Sequence, residues 1–146
     1  GRFWEDAEND AESLRRSSRL KEVMTHYDWN SHEDRAKTDG YSRGVAVGES
    51  LMMAHVRLEA GAITAPHRHA HEEIIYVVSG KWEVTVGEKV FVLEADQTLV
   101  VPSGVEHSSL ALEETLAVVA TNYRPEWNEN SDFWLHYNSD NHLWMV

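Results

Sequence analysis

Residues 61–80 contain a cluster of histidine and carboxylate side chains of the types that bind metal ions. His67, His69 and His71 are spaced two residues apart, and Glu73 follows two residues later. Alternate side chains of an extended chain share a face, so His67 and His69 can point toward one position. Glu73 can join them if the chain bends before it. Imidazole and carboxylate suit first-row divalent metals, and a chain without cysteine cannot form a thiolate site.

A further histidine follows a turn signal later in the chain. The segment Pro102-Ser103-Gly104 predicts a turn three residues before His107. That histidine would enter the site from a second β-hairpin, and ligands from distant strands make a more rigid site than a single loop does. The predicted site holds one divalent metal ion, Fe(II), Zn, Mn or Ni, on four ligands: His67, His69, Glu73 and His107.

Side chains close to these ligands are candidates for proton transfer. Four protein ligands leave two positions of an octahedral ion for substrate or water. We predict His71 and Tyr76 as catalytic residues that move a proton there. A fifth ligand and an exposed turn histidine are the alternatives for His71. Glu72 has the opposite parity to Glu73 and is predicted to point away from the metal.

Other side chains are weaker candidates for the lining of a substrate pocket. Arg57, Trp82 and Tyr123 could stand with Tyr76 at the mouth of a barrel, although plain core or surface packing is the alternative for each. His55 lies in a predicted strand, and the pattern leaves open whether it points inward.

The segment that must position these residues has an all-β pattern. From Tyr41 to Thr121, short runs rich in Val, Ile, Leu, Tyr and Trp are separated by turn residues. Gly87-Glu88 predicts a hairpin between two of these runs. Antiparallel strands in this number, without helical patterns between them, favour a sandwich or barrel. The predicted strands are 50–58, 73–79, 82–86, 90–93, 98–101, 105–111 and 115–121.

The two ends of the chain differ from this middle part. Leu14, Leu20 and Val23 give residues 5–24 an apolar stripe at helical spacing, which predicts a helix. Residues 27–40 are polar and predict a loop. We therefore divide the chain into an N-terminal arm (1–40), a barrel (41–123) and an aromatic-rich tail (124–146), which we expect to pack on its own barrel or on a second subunit. The arm and the tail could be exchanged between two subunits.

Composition excludes several classes of partner. The 146 residues include 13 basic and 25 acidic side chains, so the formal net charge of −12 disfavours nucleic acid. No apolar run approaches the roughly 20 residues that span a membrane, and the first residues lack the order of a signal peptide. The expectation is a cytoplasmic protein that binds a small-molecule substrate, with no nucleic acid and no membrane.

The spacing of the first histidine cluster resembles the first motif of the cupin superfamily, G-x5-HxH-x3,4-E-x6-G. All fixed positions match, and their residues are Gly61, His67, His69, Glu73 and Gly80. The second motif, G-x5-PxG-x2-H-x3-N, keeps Pro102, Gly104 and His107, whereas Asp96 and Ala111 replace its first glycine and its asparagine. Both replacements concern turn geometry and leave the ligands unchanged.

This resemblance implies a single cupin barrel, also called a double-stranded β-helix or jelly roll. The chain looks most similar to small single-domain cupins related to the enzyme that opens unsaturated uronate rings, and it also resembles cupin polyketide cyclases. The uronate enzymes often have glutamine where this chain has Glu73. We therefore expect a mononuclear metal-dependent enzyme that isomerises, cyclises or opens a small oxygen-rich molecule. An Fe(II)-dependent dioxygenase and a non-catalytic small-molecule-binding barrel are the alternatives. The resemblance also implies a homodimer, because small cupins commonly pair through edge strands and terminal arms.

Overall fold

A computed structural model describes residues 25–31 and 36–122 of the chain. All regular secondary structure within these ranges consists of β-strands, so the all-β prediction is confirmed. The predicted helix over 5–24, the tail 124–146 and Tyr123 lie outside the described residues. The strands are β1 (Ala36–Thr38), β2 (Tyr41–Val47), β3 (Met52–Leu58), β4 (Ile63–His67), β5 (Glu73–Ser79), β6 (Lys81–Val86), β7 (Lys89–Glu94), β8 (Gln97–Val101), β9 (His107–Ala111) and β10 (Thr115–Thr121).

The strands form two sheets of the barrel, and every described pair of neighbours is antiparallel. The six-stranded sheet has the order β1-β2-β3-β10-β5-β8, and the four-stranded sheet has the order β4-β9-β6-β7. Consecutive segments of chain cross between the sheets, so β4 and β5 lie on opposite walls although only five residues separate them. This crossing brings a residue that begins β5 opposite residues at the end of β4.

Alternation along the strands builds the core between the sheets. In β3 the side chains of Met52, Ala54 and Val56 are buried, and Arg57 next to them is exposed. Removing such aliphatic side chains from water contributes roughly 1.5–3 kcal/mol each for the larger ones. The buried apolar core comprises Met52, Ala54, Val56, Leu58, Ala62, Ile75, Val77, Trp82, Val84, Leu93, Val101, Ala111, Ala117 and Val119.

The backbone conformation of two turns explains which residues stand at two motif positions, Gly80 and Asp96. Gly80 has a φ of 97°, and a Cβ atom there would collide with the carbonyl oxygen of Glu114, so only glycine fits between β5 and β6. Asp96, which replaces a motif glycine, also lies in the left-handed region with a φ of 66°. Aspartate tolerates that conformation better than most residues, so the turn before β8 survives the replacement.

Seven predicted strands are present, but three strands were not predicted individually. β1 lies in the segment predicted as a loop, where Asp39 and Gly40 form a two-residue hairpin with positive φ angles and join Thr38 to Tyr41. Such Asp-Gly hairpins connect paired strands. The predicted loop is therefore wrong at Ala36–Thr38, whereas residues 27–31 lie outside any helix or strand as predicted. β2 was included only in the general all-β range. β4 contains Pro66, and a proline is tolerated there because β4 is an edge strand.

Candidate metal centre

Three histidine side chains converge at one end of the barrel. His67 ends β4 and His107 begins β9, and these two residues are direct partners in the antiparallel ladder. His69 lies in the loop between β4 and β5. One ring nitrogen of each of the three histidines lies within 4.8 Å of the others. His69 and His107 are buried and His67 is half-buried, so the group faces the interior.

Hydrogen bonds to main-chain carbonyls set the orientation of all three rings. The Nδ1 atoms of His67, His69 and His107 lie 2.8, 2.8 and 2.9 Å from the carbonyl oxygens of residues 65, 71 and 105. A carbonyl oxygen can only accept, so each Nδ1 carries the proton. The Nε2 atoms of the neutral rings therefore keep their lone pairs, which is the arrangement that metal-binding histidines use.

Glu73 brings a carboxylate to this group from the opposite sheet. It begins β5 and is only 5% exposed. Its carboxylate oxygens lie 3.4 Å from Nε2 of His107 and 3.7 Å from Nε2 of His69. The four residues of the sequence prediction therefore lie together, three of them on the side of the four-stranded sheet or in the adjoining loop and one on the six-stranded sheet.

The electrostatics of these residues suit a cation. Burial raises the pKa of Glu73 to about 8, although the positive charge of Arg43 opposes that shift. Burial also lowers the pKa of His107, against the effect of its hydrogen bond to Val105, and so favours the neutral ring. Nε2 of His107 and Oε2 of Glu73 are buried without a hydrogen bond within the described part of the chain. A divalent cation would satisfy both atoms and stabilise the carboxylate charge, so the residues present fit such an ion.

The loop that carries His69 is held by hydrogen bonds to four successive carbonyls. The N–H of Gly104 donates to the carbonyl of residue 69 at 2.8 Å, and the hydroxyl of Ser103 donates to that of residue 70. His69 itself caps the carbonyl of residue 71, and the hydroxyl of Thr121 donates to that of residue 72 at 2.8 Å. The turn before His107 and the end of β10 thus both fix the loop between two ligands.

A pocket that is partly open to solvent adjoins the ligands. Both sheets contribute to its walls, with hydroxyl groups and Trp82 among the polar lining and aliphatic side chains on the other side. The residues that line it are Tyr41, Thr64, His67, Glu73, Ile75, Trp82, Val84, His107, Ser108, Ser109 and Val119.

His71 lies beside the metal-binding group without belonging to it. Its ring stacks on that of His69, with the centroids 3.9 Å apart and the planes 8° from parallel. Burial lowers its pKa to about 3, and the nearby histidines His69, His107 and His67 add to that effect. The ring is therefore neutral near pH 7 and a weak base. Its role in proton transfer stays a prediction.

Tyr76 does not lie at this site. Glu73, Ile75 and Val77 of β5 are buried, so Tyr76 points to the outer face of the sheet, where it is 39% exposed. Its hydroxyl donates a hydrogen bond to Asp96 at 2.7 Å, and this bond raises the pKa of the phenol. The prediction of a catalytic Tyr76 is contradicted by this position. Tyr76 lies three positions after Glu73, and side chains an odd number of positions apart on a strand point to opposite faces.

The weaker candidates for the pocket lining lie on different faces of the sheets, some toward the interior and some toward the outside. Trp82 is buried and lines the pocket. Arg57 is exposed on the outer face, where it donates to the carbonyl of Trp29 at 3.1 Å. The alternative of surface packing therefore holds for Arg57, and a place at the barrel mouth does not. His55 lies on the same outer face and stacks on Trp29, with centroids 5.1 Å apart.

Sequence reasoning missed two interior residues of β2. Arg43 is 2% exposed and pairs with Val56 of the core, and Tyr41 lines the pocket. A buried guanidinium this close to a carboxylate ligand is a strong charge in the interior. The alternation of Tyr41, Arg43 and Val45 along one face was the available signal, and it becomes legible once β2 is recognised as a strand.

The fold and this arrangement of ligands define a class of protein. Residues 54–121 match the model of the cupin domain family, Cupin_2. The chain is 35% identical over 86 residues to the pectin degradation protein KdgF of Dickeya dadantii, covering 57% of this chain and 77% of that protein. The chain belongs to the cupin family and is a small cupin that resembles KdgF.

Two further relatives illustrate the range of the family. The structure of KdgF from Halomonas sp. superposes with a TM-score of 0.62 at 26% identity, covering 71% of this chain and 98% of that one. The oxalate decarboxylase OxdC of Bacillus subtilis is 29% identical over 119 residues, which are 75% of this chain but 31% of that protein. The jelly-roll fold predicted from the motifs is confirmed.

Residues 25–31 and 36–122 contain no helix that is long and apolar enough to cross a membrane.

Proposed function

We propose that this protein is a mononuclear metal-dependent enzyme that acts on a small oxygen-rich molecule, with ring opening or isomerisation of a uronate-like substrate as its reaction class. The observation that carries the proposal is the convergence of His67, His69 and His107, whose Nδ1 atoms each lie at a main-chain carbonyl and whose ring nitrogens come within 4.8 Å of one another. The similarity to KdgF, a pectin degradation protein, supports the reaction class.

In this proposal the ion is held by His67, His69, His107 and Glu73. A bound divalent cation would supply Lewis-acid chemistry by polarising an oxygen of the substrate. The chain contributes a pocket with largely apolar walls beside the ligands. His71, half-buried and neutral, stacks on His69 and is the proposed side chain for proton exchange outside the ligand set.

The identity of the fourth ligand favours a second candidate. Glu73 places a carboxylate where uronate-opening cupins often have a neutral glutamine, and the similarity to the oxalate decarboxylase OxdC extends over three quarters of the chain. Oxygen-dependent chemistry at Fe(II) on a small acid is therefore the alternative. Oxygen uptake that accompanies substrate turnover would select it over the redox-neutral reaction.

Elemental analysis of protein purified without added metal or chelator tests the proposal. We expect close to one ion per chain in the wild type and none in the double variant His67→Ala/His107→Ala. His26→Ala is a matched control, because His26 is an exposed histidine away from the group. Zinc, nickel or manganese supports the redox-neutral reaction and iron supports the alternative. Metal-free wild type that also fails to bind added metal would overturn both and leave a binding barrel.

The proposals about nucleic acid and about a second subunit rest on the sequence. The net charge of −12 continues to argue against nucleic acid, and a homodimer is proposed from the arm and the tail. Light scattering at micromolar concentration that gives the mass of a single chain would contradict the dimer.

A further inference from the structure

The outer face of the six-stranded sheet is apolar where β5 and β8 form it. Four large side chains lie exposed there, and we call them the β5–β8 patch: Ile74 (45%), Tyr76 (39%), Val78 (43%) and Val100 (51%). Each alternates with buried residues of its own strand, so all four point away from the barrel interior. Adjacent exposed apolar side chains of this kind mark a surface that contacts another segment or molecule.

The neighbouring part of the same face is covered by an aromatic side chain from outside the barrel. Trp29 stacks on His55 of β3, and its carbonyl accepts a hydrogen bond from Arg57. His55 pairs with Val118 of β10, and Val118 pairs in turn with Tyr76. The β5–β8 patch therefore continues a surface on which a segment preceding the barrel already packs.

A small residue forms a depression at the end of the patch that lies closest to the tail. Ala120 of β10 is exposed and pairs with Met53 on one side and with Ile74 on the other, and Ile74 pairs with Val100. The larger neighbours rise above Ala120 and leave room between them for a ring. Asn122, two residues later, is the last described residue, so the tail starts beside this depression.

The tail, residues 123–146, has the composition and the reach to cover the patch. Its aromatic side chains are Tyr123, Trp127, Phe133, Trp134, Tyr137 and Trp144. The patch extends from Ile74 to Val78, about 13 Å along β5, which about four extended residues span. A second copy of the barrel is a poorer match, because a stable interface between two proteins uses roughly 20–30 residues a side.

We propose that the tail folds back and packs its aromatic side chains on the β5–β8 patch of its own barrel. Both surfaces would leave water, and the apolar rings would contact aliphatic side chains. Glu73, the candidate metal ligand on this sheet, faces the interior, so the contact is independent of the proposed function. A homodimer through the N-terminal arm or an edge strand is compatible with this packing.

Thiol labelling of full-length single-cysteine variants tests the contact, since the chain contains no cysteine. Val100→Cys places a thiol in the patch. Val92→Cys, on the outer face of β7, is the matched control because the two valines are 51% and 47% exposed. In reaction with DTNB, Val100→Cys should be at least about 10-fold slower, because burial of one aromatic side chain favours the packed state by that factor or more.

Substitutions in the tail identify the segment that gives the protection. In the full-length chain that also carries Trp127→Ser, Phe133→Ser, Trp134→Ser, Tyr137→Ser and Trp144→Ser, Val100→Cys should react as fast as Val92→Cys. The rate of Val92→Cys should stay the same. Dilution should leave the protection unchanged, because a contact within one chain does not depend on protein concentration. Val78→Cys, also in the patch, gives the same readout if Val100→Cys fails to fold.

Each of three results would overturn the proposal. Equal labelling rates of Val100→Cys and Val92→Cys with the wild-type tail would show that the patch is open to solvent. Slow labelling of Val100→Cys that persists after the serine substitutions would assign the patch to a different cover. Protection that is lost on dilution would assign the patch to a second copy of the chain.

Discussion

The barrel contains buried histidines in two regions that differ in chemistry. His107 at the metal end and His55 on the outer face of the six-stranded sheet have similar exposure, 6% and 9%. His55 packs its ring flat against Trp29, at an angle of 6°, under the segment that precedes the barrel. His107 instead directs one nitrogen to a main-chain carbonyl and the other toward two more imidazoles and a carboxylate.

Burial alone therefore does not distinguish a ligand from a packed ring. A stacked histidine contributes area and ring contacts, as aromatic side chains do. A ligand needs its lone pair directed at a point shared by other donors, and that requires a fixed tautomer and ligands from several elements. The candidate metal end has both features.

The sharpest test of this comparison removes one histidine from each region. His107→Ala should weaken metal binding by more than roughly 100-fold, the upper range for losing only a hydrogen-bond partner of a ligand. His55→Ala should retain metal and lose about 1–3 kcal/mol of stability through the stack. Isothermal titration with Zn(II) and chemical denaturation measure the two effects. Loss of metal binding in His55→Ala with an intact fold would break the comparison.

Removal of the metal with a chelator should change the Tm of one of these two variants and not of the other. A metal that binds only the folded state stabilises it by about 2.7 kcal/mol at a concentration 100 times its Kd. EDTA should therefore lower the Tm of the wild type and of His55→Ala, and it should leave that of His107→Ala unchanged. An equal response of all three proteins in differential scanning calorimetry would show that the ion binds elsewhere.

Removing the negative charge of Glu73 should have an intermediate effect on metal affinity. Glu73→Gln keeps the shape of the side chain and removes one negative charge, so divalent metal binding should weaken on the order of 10-fold. Competition titration with a fluorescent chelator measures it, and Glu72→Gln, an exposed neighbour of opposite parity, is the control. Equal affinity in both variants would mean that the carboxylate of Glu73 does not contact the ion.

The hydrogen bonds that hold the ligand loop should have a smaller effect. Thr121→Val removes the hydroxyl that caps the carbonyl of Glu72, and Ser103→Ala removes the one that caps Ala70. Each should weaken metal binding by about 3- to 10-fold, less than loss of a partner that touches a ligand directly. Thr98→Val, an exposed threonine of β8, is the control, and Thr121→Ser should restore affinity. No change in affinity, with only a lower Tm, would limit these residues to folding.

The smallest effect is expected at Tyr76. Its hydroxyl contacts Asp96 on the outer face, so Tyr76→Phe should change neither metal binding nor turnover and should cost at most about 1 kcal/mol of stability. A large fall in kcat with normal metal content would restore the catalytic role predicted from sequence.

Much of the metal centre was predictable because it depends on local spacing. Alternation places His67 near His69, and the turn at Pro102–Gly104 places a histidine at the start of a strand, so the candidate ligands followed from residue order. The same alternation separated Glu72 from Glu73 correctly. The same alternation, continued from Glu73 along β5, places Tyr76 on the outer face. The sequence therefore contained the signal against a catalytic Tyr76, but the prediction did not apply it.

The sequence by itself determined the strand pattern, the motif glycines and the candidate ligands, since each depends on contacts within a few residues. Only the tertiary structure decided that Arg43 lies in the core, that His55 is covered by Trp29, and that Ser109 and Trp82 share a pocket with the ligands. These facts depend on which strands pair and which sheets face each other. Pairing between distant strands is set by the packing of the whole barrel, and no local pattern encodes it.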